Sequence, residues 1–184
     1  MSAREESLAP DRQMEPARPA VCVIPALRRA AHLRRQAAKE PRTVSTKVQQ
    51  SGMEGVYLAA AELARRGFIV SPTSRSARGA DLLITDQSCC RAFAVQVKTN
   101  TQTFSYWLVG EHARKLAAPS HIYVLVNLRT KNGTEFYIVP STELAQLVEV
   151  DRNKESTWFY VSRKRVAQFK DDWSPFGDPA GTLV

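Results

Sequence analysis

Apolar positions along this chain change their spacing several times, and each change predicts an element. From Ser51 the spacing is helical: Val56, Ala60, Leu63 and Ala64 share a stripe, Ser51 or Gly52 can cap the start, and Gly67 is placed to end the helix after Arg66. Gly67 to Val70 then opens a first strand, and Pro72 to Arg78 is a polar connection carrying Arg75 and Arg78. Two runs rich in β-branched residues follow, Gly79–Thr85 and Arg91–Thr99, with turn chemistry at Asp86-Gln87-Ser88 between them. The alternation of Phe104, Tyr106 and Leu108 allows a strand, Glu111 to Ala118 reads as a helix stopped by Pro119, and His121–Leu128 is the clearest strand of all. A Lys131-Asn132-Gly133 turn predicts a hairpin into Glu135–Val139, and Ser141 with Glu143 opens a further helix. The order is helix, three strands, helix, two strands, helix. It predicts a mixed α/β fold, a sheet with helices against it.

Polar side chains interrupt this pattern at one place. Asp81 begins the second strand run, and Gln96 and Lys98 end the third. Alternation puts Gln96 and Lys98 on one strand face, about 7 Å apart along it, with Val95 and Val97 on the other. Burying these groups is costly unless they serve one another or a ligand. Glu54 lies at the border of the helical stripe, beyond Tyr57, so it can point toward the same site.

Composition narrows the class. The chain has 184 residues, 43% of them hydrophobic, enough for one ordinary domain with a real core. Its net charge is +8, but residues 1–50 hold 10 basic and 5 acidic side chains while residues 51–184 hold 16 and 13. The folded part is therefore only mildly basic, and the excess sits in an N-terminal arm. That arm, residues 1–49, is rich in proline and charge and poor in core-forming residues; it is expected to be disordered, with one Arg-rich helix from about Ile24 to Lys39. A basic arm suits nucleic acid, and a solvated tail suits the same residues. Cys22, Cys89 and Cys90 make no disulfide framework and no zinc spacing, which favours a reducing, cytoplasmic compartment. No apolar run reaches membrane-spanning length, and no secretory signal is visible.

On Asp81, the Gln96-Val97-Lys98 motif fifteen residues later and Glu54 on the preceding helix, the chain resembles the PD-(D/E)xK nuclease superfamily, as a Q-x-K variant similar to small uncharacterised members. The likeness covers roughly Ser51 to Pro140. It implies a restriction-endonuclease-like fold for residues 50–184 and metal-dependent hydrolysis of phosphodiester bonds in DNA. Asp81, Gln96, Lys98 and Glu54 would form the catalytic set. Asp81, Glu54 and the Gln96 amide oxygen would hold Mg²⁺, or Mn²⁺ in its place, with the Val97 carbonyl as a further candidate. Lys98 would orient the attacking water or offset charge on the phosphorane. Arg75, Arg78 and Tyr106 would contact the nucleic acid.

The departure from the family pattern is Gln96, where an acid is usual. An amide oxygen is a hard ligand without charge, so Mg²⁺ affinity should fall. Some members carry Gln here together with a Glu on the first helix, the part Glu54 would take. The rival reading is a catalytically weak or inactive nucleic-acid-binding module, or a partner subunit of the same fold. The resemblance also allows a homodimer. Bland uses are expected elsewhere: His112 and His121 as structural residues, Trp158 and Trp173 as core, and Arg163-Lys164-Arg165 as a solvated face.

Overall fold

The computed structural model describes residues 44–74, 79–101, 105–130, 133–153 and 156–181, all within the compact unit Arg42–Val184. The expected arm, with its helix from Ile24 to Lys39, lies outside the described residues except for its last few positions, which are helical. Among the described residues no helix is long and apolar enough to cross a membrane.

Helix α1 (Val44–Arg65) starts seven residues before Ser51. No Gly or Pro separates Val44 from Ser51, so nothing stops the helix from extending upstream. Ser51 is accordingly not a cap; its hydroxyl donates back to the Val48 carbonyl at 3.1 Å. The other end is as expected. Gly67 takes φ +96°, and the Phe68 and Gly67 N–H groups return to Leu63 and Ala64 at 3.2 and 2.9 Å. That is the glycine-ended closure of a helix.

Five strands form the main sheet: β1 (Ile69–Pro72), β2 (Leu82–Thr85), β3 (Ala92–Asn100), β5 (His121–Thr130) and β6 (Gly133–Pro140), in the order β1-β2-β3-β5-β6. All neighbours are antiparallel except β3 and β5, which are parallel with Gln96 opposite Tyr123 and Lys98 opposite Leu125. The crossover between them holds β4 (Tyr106–Leu108) and the one-turn helix α2 (His112–Lys115). After β6 come α3 (Ser141–Leu147), β7 (Glu149–Arg152) and β8 (Thr157–Ser162). The whole is a mixed α/β fold, a mixed five-stranded sheet flanked by helices.

The sequence pattern leaves a second, three-stranded sheet unforeseen. β4 does not join the main sheet; it pairs with β8, which pairs with β7. Both main-sheet faces are therefore covered. α1 lies over Val95, Val97, Ile122, Val124 and Val126, and the small sheet with α2 and α3 lies over Tyr123, Leu125, Tyr137 and Val139. Covering on both sides explains why β5 is buried from His121 to Asn127. Trp107 belongs to this second core: its indole N–H donates to the Val126 carbonyl at 2.9 Å. Trp173 packs against the α1-side core as expected. Trp158 does not; it stands 48% exposed on the small sheet.

α1 meets β3 closely at Gly55, where an added Cβ would lie 1.9 Å from the Thr99 hydroxyl oxygen. Thr99 is short and branched, so it has little room to turn aside. Gly55→Ala should cost about 1–3 kcal/mol, read as a lower denaturation midpoint. Thr99→Ala in the same chain should restore most of it, because the hydroxyl has no hydrogen-bond partner among the described residues.

Two acids anchor the periphery. Asp86, fully buried in the β2–β3 turn, accepts from Ser88 Oγ at 2.9 Å, Cys90 N at 3.0 Å and Arg91 Nε at 3.0 Å. Burial pushes its carboxyl up, but these hydrogen bonds outweigh it and hold the group below the usual range. Glu135 accepts from Lys170 Nζ at 2.7 Å and the Tyr137 hydroxyl at 3.1 Å, with Arg163 3.8 Å away. Here too burial is outweighed, and Glu135 titrates below its ordinary 4.5. A carboxyl with a lowered folded-state pKa stabilises the protein above its ordinary value and stops doing so as pH falls through the folded one. Melting temperature should therefore drop as pH falls below about 4.5. Glu135→Gln should be less stable than the parent at pH 7 and should show a shallower drop.

Candidate functional site

β2 begins only at Leu82, which pairs with Val95, so β3 runs on past it without that neighbour. Asp81 occupies the junction. Its own N–H donates to the Val95 carbonyl at 2.7 Å, and its carbonyl accepts from the Thr73 N–H at 2.9 Å. Its side chain then reaches along β3: Oδ2 accepts the Val97 N–H at 2.7 Å and the Gln96 Nε2–H at 2.5 Å. The carboxylate thus stands in for the missing strand as acceptor. Gly79, at φ +83°, supplies the bend that brings the chain here.

A carboxylate only accepts, so the nitrogen end of the Gln96 amide must face Asp81 and its Oε1 is turned away. Asp81 Oδ1 has no hydrogen bond or ion pair among the described residues. The pair therefore carries one negative charge and leaves two oxygens unengaged. A second carboxylate at position 96 would instead face the first across the same short gap.

Lys98 follows on the same face. It is half-buried and makes no hydrogen bond or ion pair among the described residues. It borders two clefts, because the free edge of β3 is open on both sides. One, about 470 Å³, is lined by Gly79, Gln96, Tyr123, His112, Lys115 and Leu116 among others. The second, about 480 Å³, is lined by Ser51, Gly52, Thr99, Asn100, Tyr106 and Leu108 among others. Burial pushes the Tyr123 phenol up, keeping it a neutral donor at neutral pH.

The structure thus joins Asp81 to Gln96, with Lys98 next along the same strand face; Asp81 is not among the residues that line either cleft. Glu54 is exposed and lines neither cleft; its helix packs on the Val95/Val97 face, although Ser51 and Gly52, one turn earlier, border the second cleft. Tyr106 borders that cleft too. Arg75 and Arg78 lie outside the described residues. Among those described, no group of three or more His, Cys, Asp or Glu side chains is placed to hold a metal ion.

No protein family's sequence profile matches this chain, and no curated protein does. Among solved structures it is similar to Hjc, a Holliday junction resolvase from Archaeoglobus fulgidus, at 14% identity and a TM-score of 0.42, covering 64% of this chain and 88% of that one.

Sequence reasoning passed over two neighbours of the site. Tyr123 is hidden inside an apolar strand, where its hydroxyl gives no signal. His121 fixes the approach to Asp81: its Nε2 meets the Gly79 carbonyl at 2.6 Å, so that nitrogen carries the proton. The ring is buried, edge-on to Tyr123 with centroids 5.0 Å apart, and Nδ1 has no partner among the described residues. Its structural role was the expectation; its place beside the site was not.

Proposed function

We propose that this protein is a metal-dependent nuclease acting on DNA, with Asp81, Gln96 and Lys98 as its catalytic set. The observation that carries the reading is the Gln96–Asp81 hydrogen bond of 2.5 Å, with the ammonium of Lys98 two residues on beside an open cleft. Asp81 Oδ1 and Gln96 Oε1 are hard oxygen donors carrying one charge. That set fits Mg²⁺ or Mn²⁺ held jointly with a substrate phosphate, since Mg²⁺ commonly takes only one or two protein carboxylates. Bound there, the ion would polarise the scissile phosphate and make the attacking water more acidic. Glu54 we propose as an outlying carboxylate of the same site, one helical turn from the cleft rim.

The protein's own groups do the positioning. The Val97 N–H fixes Asp81 against the strand, and Gln96 sets the angle of the carboxylate. Lys98, a compact cation without a competing anion, offsets charge as it builds on the phosphorane oxygens. Tyr106, with Arg75 and Arg78 of the preceding connection, would contact the nucleic acid.

One observation favours the rival reading of a binding module: position 96 holds an uncharged amide where a carboxylate would bind the ion more strongly. Incubating labelled duplex, single-stranded and branched DNA with the protein across a Mg²⁺ and Mn²⁺ titration separates the two. The nuclease cleaves at least one substrate, and Asp81→Ala does not. Binding without cleavage under every condition leaves the module.

A further inference from the structure

The small sheet has an inner and an outer face. Trp107, Phe159 and Val161 point inward to the core. Alternation sends Tyr106 and Leu108 of β4 and Trp158 and Tyr160 of β8 outward. These four and Asp151 line a cleft of about 530 Å³. Tyr106 and Tyr160 meet edge-to-face with centroids 5.5 Å apart, and the Trp158 indole N–H is held by Ser156 Oγ at 2.8 Å. Trp158 and Leu108 are each 48% exposed. An outward row of aromatics at this exposure is costly in a sheet that needs only one face for the core.

Its surroundings indicate what covers it. Tyr106 and Leu108 also border the Lys98 cleft, so the aromatic row runs into the proposed catalytic site. Tyr106 also pairs with Ser162, which with Ser105 opens onto a cleft of about 620 Å³ lined by Arg163, Lys164 and Lys170. Cations therefore lie beside the row at its Tyr106 end, where Lys170 and Arg163 also face Glu135. Two acids share this outer face: Glu149 lies opposite Tyr160, with Arg165 3.6 Å from it, and Asp151 lies opposite Trp158, where it repels phosphate while accepting from amino groups of bases. Bases over the row and phosphates toward the flanking cations match this charge pattern. A paired duplex keeps its base faces stacked and closed, whereas an unpaired strand offers them.

We infer that the outer face of the β4–β8–β7 sheet is a stacking platform for unpaired nucleotides, delivering a single-stranded segment of DNA to the Lys98 cleft. The inference rests on the nuclease reading for the destination of that strand, but the platform can be tested without cleavage.

The test is fluorescence anisotropy of a labelled 12-nucleotide oligodeoxythymidylate and a blunt 12-base-pair duplex, in EDTA at fixed salt. The parent protein should prefer the single strand. Trp158→Ala and Tyr160→Ala should each weaken single-strand binding about 5- to 150-fold, the range for loss of one base–aromatic stack, and should barely alter duplex binding. Trp158→Phe should retain most of the affinity. Trp158 is exposed, so its variants should melt with the parent, and circular dichroism checks this. Unchanged single-strand affinity in Trp158→Ala overturns the platform, as does an equal loss on both DNAs or a parent that binds neither. A parent that binds single strands through Trp158 yet never cleaves under Mg²⁺ or Mn²⁺ sinks the nuclease reading and leaves the platform standing.

Discussion

Replacing Gln96 by Glu should make the stability of the fold depend on divalent cation. The amide N–H that now meets Asp81 Oδ2 at 2.5 Å would become a second carboxylate, and like charges that close raise the pKa of the pair. An acid whose folded-state pKa is raised stabilises below its ordinary range and is a burden once pH passes above it. Without metal, Gln96→Glu should therefore be nearly as stable as the parent at pH 5. At pH 8 it should be about 1–3 kcal/mol less stable, the usual cost of leaving a buried polar group without its partner. Millimolar Mg²⁺ should recover that loss by binding only the folded state, and half-maximal recovery should come at a lower Mg²⁺ concentration than any effect on the parent. Thermal melts at two pH values, with EDTA and with Mg²⁺, read all of this without an activity assay. If the variant melts with the parent at pH 8 in EDTA, the two side chains are not held together. If Mg²⁺ leaves its melt unmoved, they are not a metal site.

Lys98→Ala should lower the cleavage rate about 10²- to 10³-fold, the usual cost of removing one group aimed at developing charge, while leaving the melting temperature close to that of the parent. Lys98 makes no hydrogen bond or ion pair among the described residues, so the fold loses little with it. Lys98→Arg should rescue poorly, since the guanidinium is larger and planar where a compact charge is wanted. Asp81→Ala should be equally inactive but also less stable, because the Val97 N–H loses its acceptor. This split between the two variants is the informative part. A Lys98→Ala protein that cleaves at the parental rate removes Lys98 from the chemistry.

The catalytic candidates were legible because they violate the pattern around them. Asp81, Gln96 and Lys98 are polar groups in strands that otherwise read as buried, and strand periodicity is enough to put Gln96 and Lys98 on one face. What periodicity leaves open is which way an amide turns. That depended on Asp81 reaching past the end of β2, a tertiary fact. Element types were recovered well wherever the local signal was strong, as at Gly67 and along His121–Leu128. The start of α1 was missed because a capping serine at position 51 is a permissive signal, and the helix runs through it. The second sheet was missed for a different reason: β4 has only three residues, and its partner lies some fifty residues later. Such a pairing leaves no trace in local alternation. The same long-range pairing turned Trp158 outward, against the expectation that so large an apolar side chain goes to the core.

The segment from Trp173 to Gly181 closes this structure late in the chain. Phe176 is fully buried in the core beneath α1, with rings 5.8 Å from Phe68 and 5.5 Å from Phe93. The Pro179 carbonyl accepts the Gln87 N–H at 2.8 Å, beside the turn that Asp86 organises. During synthesis, α1 and all five strands of the main sheet are available well before these residues emerge. Until they do, the α1-side core lacks its plug and the Asp86 turn its outer wall. A chain interrupted before Phe176 would therefore carry Asp81, Gln96 and Lys98 on an open, unfastened sheet. Such a fragment is suited to proteolysis, so the position of one phenylalanine decides when the site residues gain a firm support.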